Sequence, residues 1–156
     1  MRVEGPAVCL PPDIDTDLII AGRYLRTKDR SIWATHVFED LDPSLAGRLR
    51  ESVIIAGKNF GCGSSREQAA VALREAGVVC IIAPSFARIF FRNAINLGLP
   101  LAQADLSCHE GEQVVIDFSA GIVTVGGLST EIPPLSPRML EILAAGGLVE
   151  HWRKRK

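Results

Sequence analysis

An apolar run, Val53-Ile54-Ile55-Ala56, breaks into Gly57-Lys58-Asn59-Phe60-Gly61-Cys62-Gly63-Ser64-Ser65, and a helix pattern follows from Arg66 to Ala76. The apolar run reads as a buried strand, and the glycines let the backbone turn sharply and come close to a ligand. A helix that opens just after such a turn points free N–H groups and a partial positive charge at whatever sits there. The stretch therefore reads as an anion site, and Arg66 in the first turn adds a planar fork suited to a carboxylate or phosphate. Ser65-Arg66-Glu67-Gln68 fits a capping box, with Ser65 as N-cap and Gln68 reaching back. Ser64 is then left beside the helix start, either facing a ligand or bonding to local backbone. The loop matches neither the Walker A spacing nor the dinucleotide fingerprint.

At 156 residues, one domain spanning 1–156 is the expectation. Such a chain buries roughly 68–70% of its unfolded surface, enough for a core without staples. With 47% hydrophobic and 22% charged residues, the composition is that of an ordinary globular protein. A formal net charge of −1 argues against a nucleic-acid partner. The basic tail Trp152-Arg153-Lys154-Arg155-Lys156 has no second basic stripe beside it and reads as a solvated end. No apolar stretch reaches membrane-spanning length, and no signal peptide is seen at the start, so the chain reads as cytoplasmic with no membrane partner. The cysteines at 9, 62, 80 and 108 form no C-x-x-C pair and do not read as a disulfide framework. Cys80 sits in an apolar run as a small core residue. Cys62 could be a nucleophile, but His36, His109 and His151 are all distant in sequence, and loop packing is the better reading.

Along the chain, Ala7 to Leu10 reads as a strand interrupted by Pro11-Pro12. Asp13, Asp15 and Asp17 alternate, but without the glycine and closing glutamate of a calcium loop; they read as a turn and helix start. Ser31 is expected to cap a helix to about Leu41, and a short helix is expected from Ser44 to Glu51. Val78 to Ala83 reads as a buried parallel strand. Pro84-Ser85 opens a helix to about Leu97 with an apolar stripe of Phe86, Ile89, Phe90, Ala94 and Leu97. This is a βαβ unit with its helix starts on one side of the sheet. Gln113 to Phe118 and Gly121 to Val125 read as a hairpin, Leu128 to Ile132 as a further strand, and Ser136 to Ala145 as a last helix. Trp33 and Trp152 are either interface anchors or half-buried residues.

Three motifs in register then carry a resemblance. Asp15-Thr16-Asp17-Leu18-Ile19-Ile20 with Arg23-Tyr24-Leu25, Asn59-Phe60-Gly61-Cys62-Gly63-Ser64-Ser65-Arg66-Glu67, and Ala83-Pro84-Ser85-Phe86-Ala87-Arg88-Ile89-Phe90-Phe91-Arg92-Asn93 resemble the small subunit of 3-isopropylmalate dehydratase. The resemblance implies an α/β fold, the swivelling β/β/α three-layer domain of the aconitase superfamily. It implies no cofactor in this chain and a separate large subunit carrying a [4Fe–4S] cluster, with the active site between the two. The implied substrates are branched hydroxy-dicarboxylates or tricarboxylates, which lose water and regain it with opposite regiochemistry. By motif, Ser64 takes the position of the catalytic base, Ser65 and Arg66 take substrate-carboxylate positions, and Asp17 takes a supporting acidic one. A serine base needs N–H groups and positive charge nearby, and the loop offers both. Two departures stand out: Gln68 replaces the usual His, and Ala21-Gly22 replaces Pro-Ala.

The resemblance also places the loop after Tyr24-Leu25 near the substrate's variable group. There Arg26 offers a permanent charge. It is a solvated loop residue, a partner for a third carboxylate, or a side chain that shifts to let an alkyl group pass; an inward charge suits a broadened or homoaconitase-like specificity better than a strict alkyl specialist. Three functions follow: the isopropylmalate hydro-lyase small subunit, a homoaconitase or dimethylmalate-type small subunit, and a stand-alone anion-binding module.

Overall fold

The structure is a computed structural model in which residues 1–154 are described; Arg155 and Lys156 of the basic tail lie outside them. Strand β1 (Arg2–Leu10) is the spine. Its second half, from Ala7 to Leu10, pairs in parallel with β2 (Val53–Ala56). Its first half, from Arg2 to Pro6, pairs antiparallel with β5 (Gln113–Asp117). On one side the sheet continues through β3 (Cys80–Ala83) and β4 (Leu101–Gln103), all parallel; on the other through β6 (Ile122–Val125) and β7 (Leu128–Glu131), all antiparallel. The order is β4-β3-β2-β1-β5-β6-β7. The β2 residues explain why both faces are covered. Ile54 and Ala56 point into a core shared with the helices, while Val53 and Ile55 pack with Val114, Ile116 and Val123 of the antiparallel strands. Period-two alternation in an all-apolar strand thus feeds two cores, and the result is the expected three layers.

The helices on one face are α1 (Thr16–Ile19), α2 (Arg30–Thr35), α3 (Glu67–Glu75) and α4 (Arg88–Asn96). Asp15 caps α1 by accepting from Asp17 N at 2.7 Å, as the reading of the Asp13–Asp17 stretch anticipated. The cap of α2 is Asp29, accepting from Ser31 N at 3.0 Å, so Ser31 is not the cap. That helix also stops well short of Leu41. Phe38 turns into the core with φ +60 and donates its N–H to the Ile19 carbonyl at 2.9 Å, which a continued helix would forbid. The expected helix from Ser44 to Glu51 shrinks to a 3-10 turn at Ala46–Arg48.

Helix α5 (Pro137–Ala145) has the features sequence rules ask for: Ser136 as cap, Pro137 in the first turn, and Gly146 at φ +94 behind it. The chain does not end its helices there, because α6 (Leu148–Lys154) follows the Gly146-Gly147 pair. Trp33 is buried and its Nε1 donates to the Tyr24 carbonyl at 3.0 Å, whereas Trp152 is 53% exposed. The absence of a disulfide framework is corrected as well: Cys9 and Cys108 are bonded across a sequence separation of 99. Ala7 and the 111–112 turn exchange backbone hydrogen bonds, Ala7 N to Glu112 O at 2.8 Å and Gly111 N to Ala7 O at 2.9 Å. Cys9 N donates to Glu110 Oε1 at 2.6 Å, and the two cysteines are thereby brought together by tertiary pairing.

Candidate functional site

The loop after β2 runs between two extended segments that continue its neighbours in the sheet. On one side Asp13 N donates to Lys58 O at 2.8 Å, Gly61 N to Ile14 O at 2.8 Å and Thr16 N to Cys62 O at 2.9 Å. On the other side Phe60 N donates to Ser85 O at 3.1 Å and Ala87 N to Phe60 O at 2.9 Å. Asn59 N donates to Ser85 Oγ at 2.8 Å, which occupies the serine expected to open the next helix; α4 accordingly begins only at Arg88. The loop is a strand-like extension of the sheet, held from both sides by backbone.

Two glycines make this possible. A Cβ at Gly61, where φ is +83, would lie 2.3 Å from Cγ of Phe90. At Gly63, with φ +89, it would lie 2.3 Å from Asp15 Oδ2. Phe60 anchors the stretch from below, fully buried and edge-on to Phe86 and Phe90 at centroid distances of 6.1 and 5.3 Å. Such aromatic pairs add about 0.5–1.5 kcal/mol each beyond burial.

The loop then delivers its polar residues. Thr16 is buried, and its Oγ1 donates to the Ser64 carbonyl at 2.7 Å. Arg66 takes the N-cap position of α3 with no side-chain cap hydrogen bond, so the Ser65–Gln68 capping box does not form. The physical reason is a tighter claim on both flanks: Thr16 pins the Ser64 carbonyl, and the Arg66 guanidinium is drawn to Asp17, Nη2 to Oδ1 at 2.8 Å. The helix therefore starts one residue later than a box requires. Arg66 Nη1 is buried and has no hydrogen-bond partner among the described residues.

A cavity of about 280 Å³ opens here. Thr16, Gly63, Ser65 and Arg66 form one wall, and Arg88, Ile89 and Asn93 of α4 another. The structure thus brings Ser65, Arg66 and Asp17 together. Ser64 is exposed beside them and does not line the cavity. Arg26 is exposed, lines none of the described cavities and has no ion-pair partner among the described residues. Its loop nevertheless begins against the site, since a Cβ on Gly22 would lie 3.3 Å from Arg66 Nη1. Asn93 was not singled out from sequence as a site residue; it lies off the stripe of an amphipathic helix, which marks a polar face but gives no address for it. Ile89 departs from the buried stripe: it is 49% exposed and faces the cavity.

Burial, with Asp15 and Asp13 nearby, pushes the Cys62 thiol above its ordinary range, which disfavours a thiolate nucleophile. The chain's cysteines do not fit an iron–sulfur cluster. Cys9 and Cys108 are bonded to each other and Cys80 is fully buried, which leaves Cys62 alone.

Residues 13–106 match the aconitase C-terminal domain, and the chain belongs to that family. Within it, the chain is similar to small subunits of dehydratases. It is 51% identical over 145 residues to the methanogen homoaconitase small subunit of Methanothermobacter thermautotrophicus, covering 91% of this chain and 85% of that one. It is 46% identical over 161 residues to the 3-isopropylmalate dehydratase small subunit of Moorella thermoacetica, covering 99% and 97%. The crystal structure of 3-isopropylmalate dehydratase (leuD) from Methanocaldococcus jannaschii superposes with a TM-score of 0.91 at 42% identity, covering 99% of this chain and 95% of that one.

Proposed function

We propose that this chain works as a single swivel domain, the small subunit of a hydro-lyase that isomerises branched hydroxy-dicarboxylates or hydroxy-tricarboxylates by removing and re-adding water. The observation that carries this reading is the guanidinium of Arg66. Asp17 holds one nitrogen, and the other is buried with no acceptor among the described residues, at the wall of a cavity beside a helix N-terminus. That is an arrangement for a carboxylate. The names of the relatives, which are small subunits, support a large-subunit partner.

In this reading the [4Fe–4S] cluster belongs to the large subunit, and the substrate sits between the chains. Arg66 and Ser65 bind a substrate carboxylate, with Asp17 fixing the guanidinium. Ser64 accepts the proton removed from carbon on dehydration and returns it on rehydration. Its exposure beside the cavity suits a group that meets substrate at an interface, and the start of α3 supplies the N–H groups that stabilise an alkoxide. The cytoplasmic location expected from the sequence goes with this reading. Among the described residues no helix is long and apolar enough to cross a membrane. Cys9–Cys108 is then a bridge that the cytosolic thiol pool works against.

A homoaconitase-like preference is favoured by Arg26, which is exposed with no acid paired to it among the described residues and so is free to meet a third carboxylate. Relatives of both kinds match at similar identity, 51% for the homoaconitase and 46% for the 3-isopropylmalate dehydratase small subunit, so the choice rests on Arg26. The test is kcat/KM for isopropylmalate and homocitrate-type substrates with the large subunit present. Ser64→Ala should lower kcat on both by about 10²–10⁴ with the fold intact, the range of a lost general base. Arg26→Val should shift the substrate ratio towards isopropylmalate by about tenfold or more, the worth of one charged hydrogen bond. Full turnover by Ser64→Ala would remove it as base, and an unchanged ratio would leave Arg26 a solvated residue. A lone chain that binds phosphate tightly and never gains activity with the large subunit would favour the anion-binding module instead.

A further inference from the structure

The Gly22–Thr27 segment that carries Arg26 has little backbone structure of its own. It makes a 3-10 turn at Gly22–Tyr24, with Tyr24 N donating to Ala21 O at 3.0 Å and Leu25 N to Gly22 O at 3.1 Å. What ties it to the body of the protein is a cluster of side chains outside the Arg66 cavity. The Tyr24 ring stacks on His36, with centroids 4.1 Å apart and planes 8° from parallel, and the Arg23 guanidinium lies 4.9 Å from the Tyr24 centroid. Trp33 Nε1 holds the Tyr24 carbonyl.

Glu39 is the hub. Its Oε1 accepts from Tyr24 Oη at 2.5 Å and from Arg23 Nη2 at 3.0 Å, and its Oε2 meets Nδ1 of His36. Arg23 is shared with Asp40, at 2.7 and 3.2 Å. The chain reaches this arrangement through Phe38, a bulky residue held at φ +60, where a non-glycine residue is strained. Three donors converging on one carboxylate, Tyr24 first and then His36 and Arg23, hold its pKa down to about 2. Nothing in the acid–base or carboxylate chemistry of Ser64, Ser65 and Arg66 uses these groups. Their common product is the position of the turn immediately before Arg26.

We propose that Glu39 is a positioning residue for substrate choice: through Tyr24 it fixes the turn that carries Arg26, and so sets the preference for tricarboxylate over alkyl-dicarboxylate substrates. This rests on the reading of Arg26 given above. Because Glu39 acts through Arg26, its effect depends on Arg26 being present.

The experiment is a double-mutant cycle in the assembled enzyme, Glu39→Gln and Arg26→Val alone and together, with kcat and KM for homocitrate-type and isopropylmalate substrates. It is paired with hydrogen exchange at the Tyr24 and Leu25 amides of the full chain. Glu39→Gln should raise KM for the tricarboxylate about tenfold with kcat little changed, since one charged hydrogen bond is at stake. In the Arg26→Val background it should change the substrate ratio by less than about twofold. The two amides should exchange faster in Glu39→Gln than in wild type. If the ratio shifts equally with and without Arg26, or the amides exchange at the wild-type rate, the proposal is overturned. Should Glu39→Gln not fold, Tyr24→Phe deletes only the phenol bond and carries the same cycle. A wild-type enzyme that turns over neither substrate would sink the functional reading and this proposal with it, whereas activity without coupling removes the proposal alone.

Discussion

Two loops meet at Arg66, and they are held by different means. The stretch from Gly57 to Ser65 is laced by backbone hydrogen bonds to residues 13–16 on one side and 85–87 on the other. The stretch from Gly22 to Thr27 has only a local turn, and side chains of Tyr24, Trp33, His36 and Glu39 fasten it. A backbone-built loop is insensitive to most side-chain changes and intolerant of a Cβ where chains approach. A side-chain-built loop has the opposite profile: its geometry is set by residues that can be exchanged one at a time. In the proposed function the first carries the chemistry common to all substrates and the second carries the choice among them.

The largest expected effect breaks the first loop at its tightest point. Gly61→Ala places a methyl group 2.3 Å from Phe90 Cγ at φ +83. Overpacking and backbone strain together should cost about 2–5 kcal/mol. Urea unfolding of the full chain measures it, and a variant within about 0.5 kcal/mol of wild type would mean the lacing is looser than its hydrogen bonds indicate.

A smaller effect probes the second loop through pH. The Glu39 carboxyl is held at about 2, below its ordinary 4.5, by Tyr24, His36 and Arg23 in that order. A depressed carboxylate stabilises the fold fully above its unfolded pKa and loses that contribution as pH falls through the folded value. The loop should therefore be fully fastened above 4.5 and released as pH approaches 2. Any stability deficit of Glu39→Gln near neutral pH should close over that window. A deficit that stays constant down to about 2 would place its origin elsewhere than the Glu39 charge.

The smallest effect sharpens the comparison at Ser65. With Arg66 in the N-cap position and no capping box, Ser65→Ala should leave unfolding stability within about 0.5 kcal/mol of wild type while weakening substrate binding. A loss of about 0.5–2 kcal/mol would restore Ser65 as a helix cap.

The first loop was legible in the sequence because its determinants are local. Val53–Ala56, the glycines and Arg66 lie in one run, and β2 falls where the apolar residues do. The hairpin of β5 and β6 and the Ser136 cap were legible for the same reason. The second loop was not. Tyr24 and Glu39 are separated by a helix that ends early, and it ends because Phe38 finds a place in the core, a tertiary preference that no periodicity reports. The capping box failed in like manner: its residues are present, but Thr16 and Asp17 claim their neighbours. Cys9 and Cys108 are joined by the pairing of β1 with a distant turn, and nothing within either segment announces it.

That bridge has a topological consequence. It turns residues 9 to 108 into a closed covalent ring, and β2, α3, β3, α4, β4 and both loops at Arg66 lie on it, while β5 to β7 and the last two helices hang from it as a tail. A protease that cuts the ring once, in any of its surface turns, opens it without releasing a fragment. The two pieces separate on a denaturing gel only after a reductant has cleaved the Cys9–Cys108 bond. The portion of the molecule that would carry out the chemistry is thus the portion that survives a single nick in one piece.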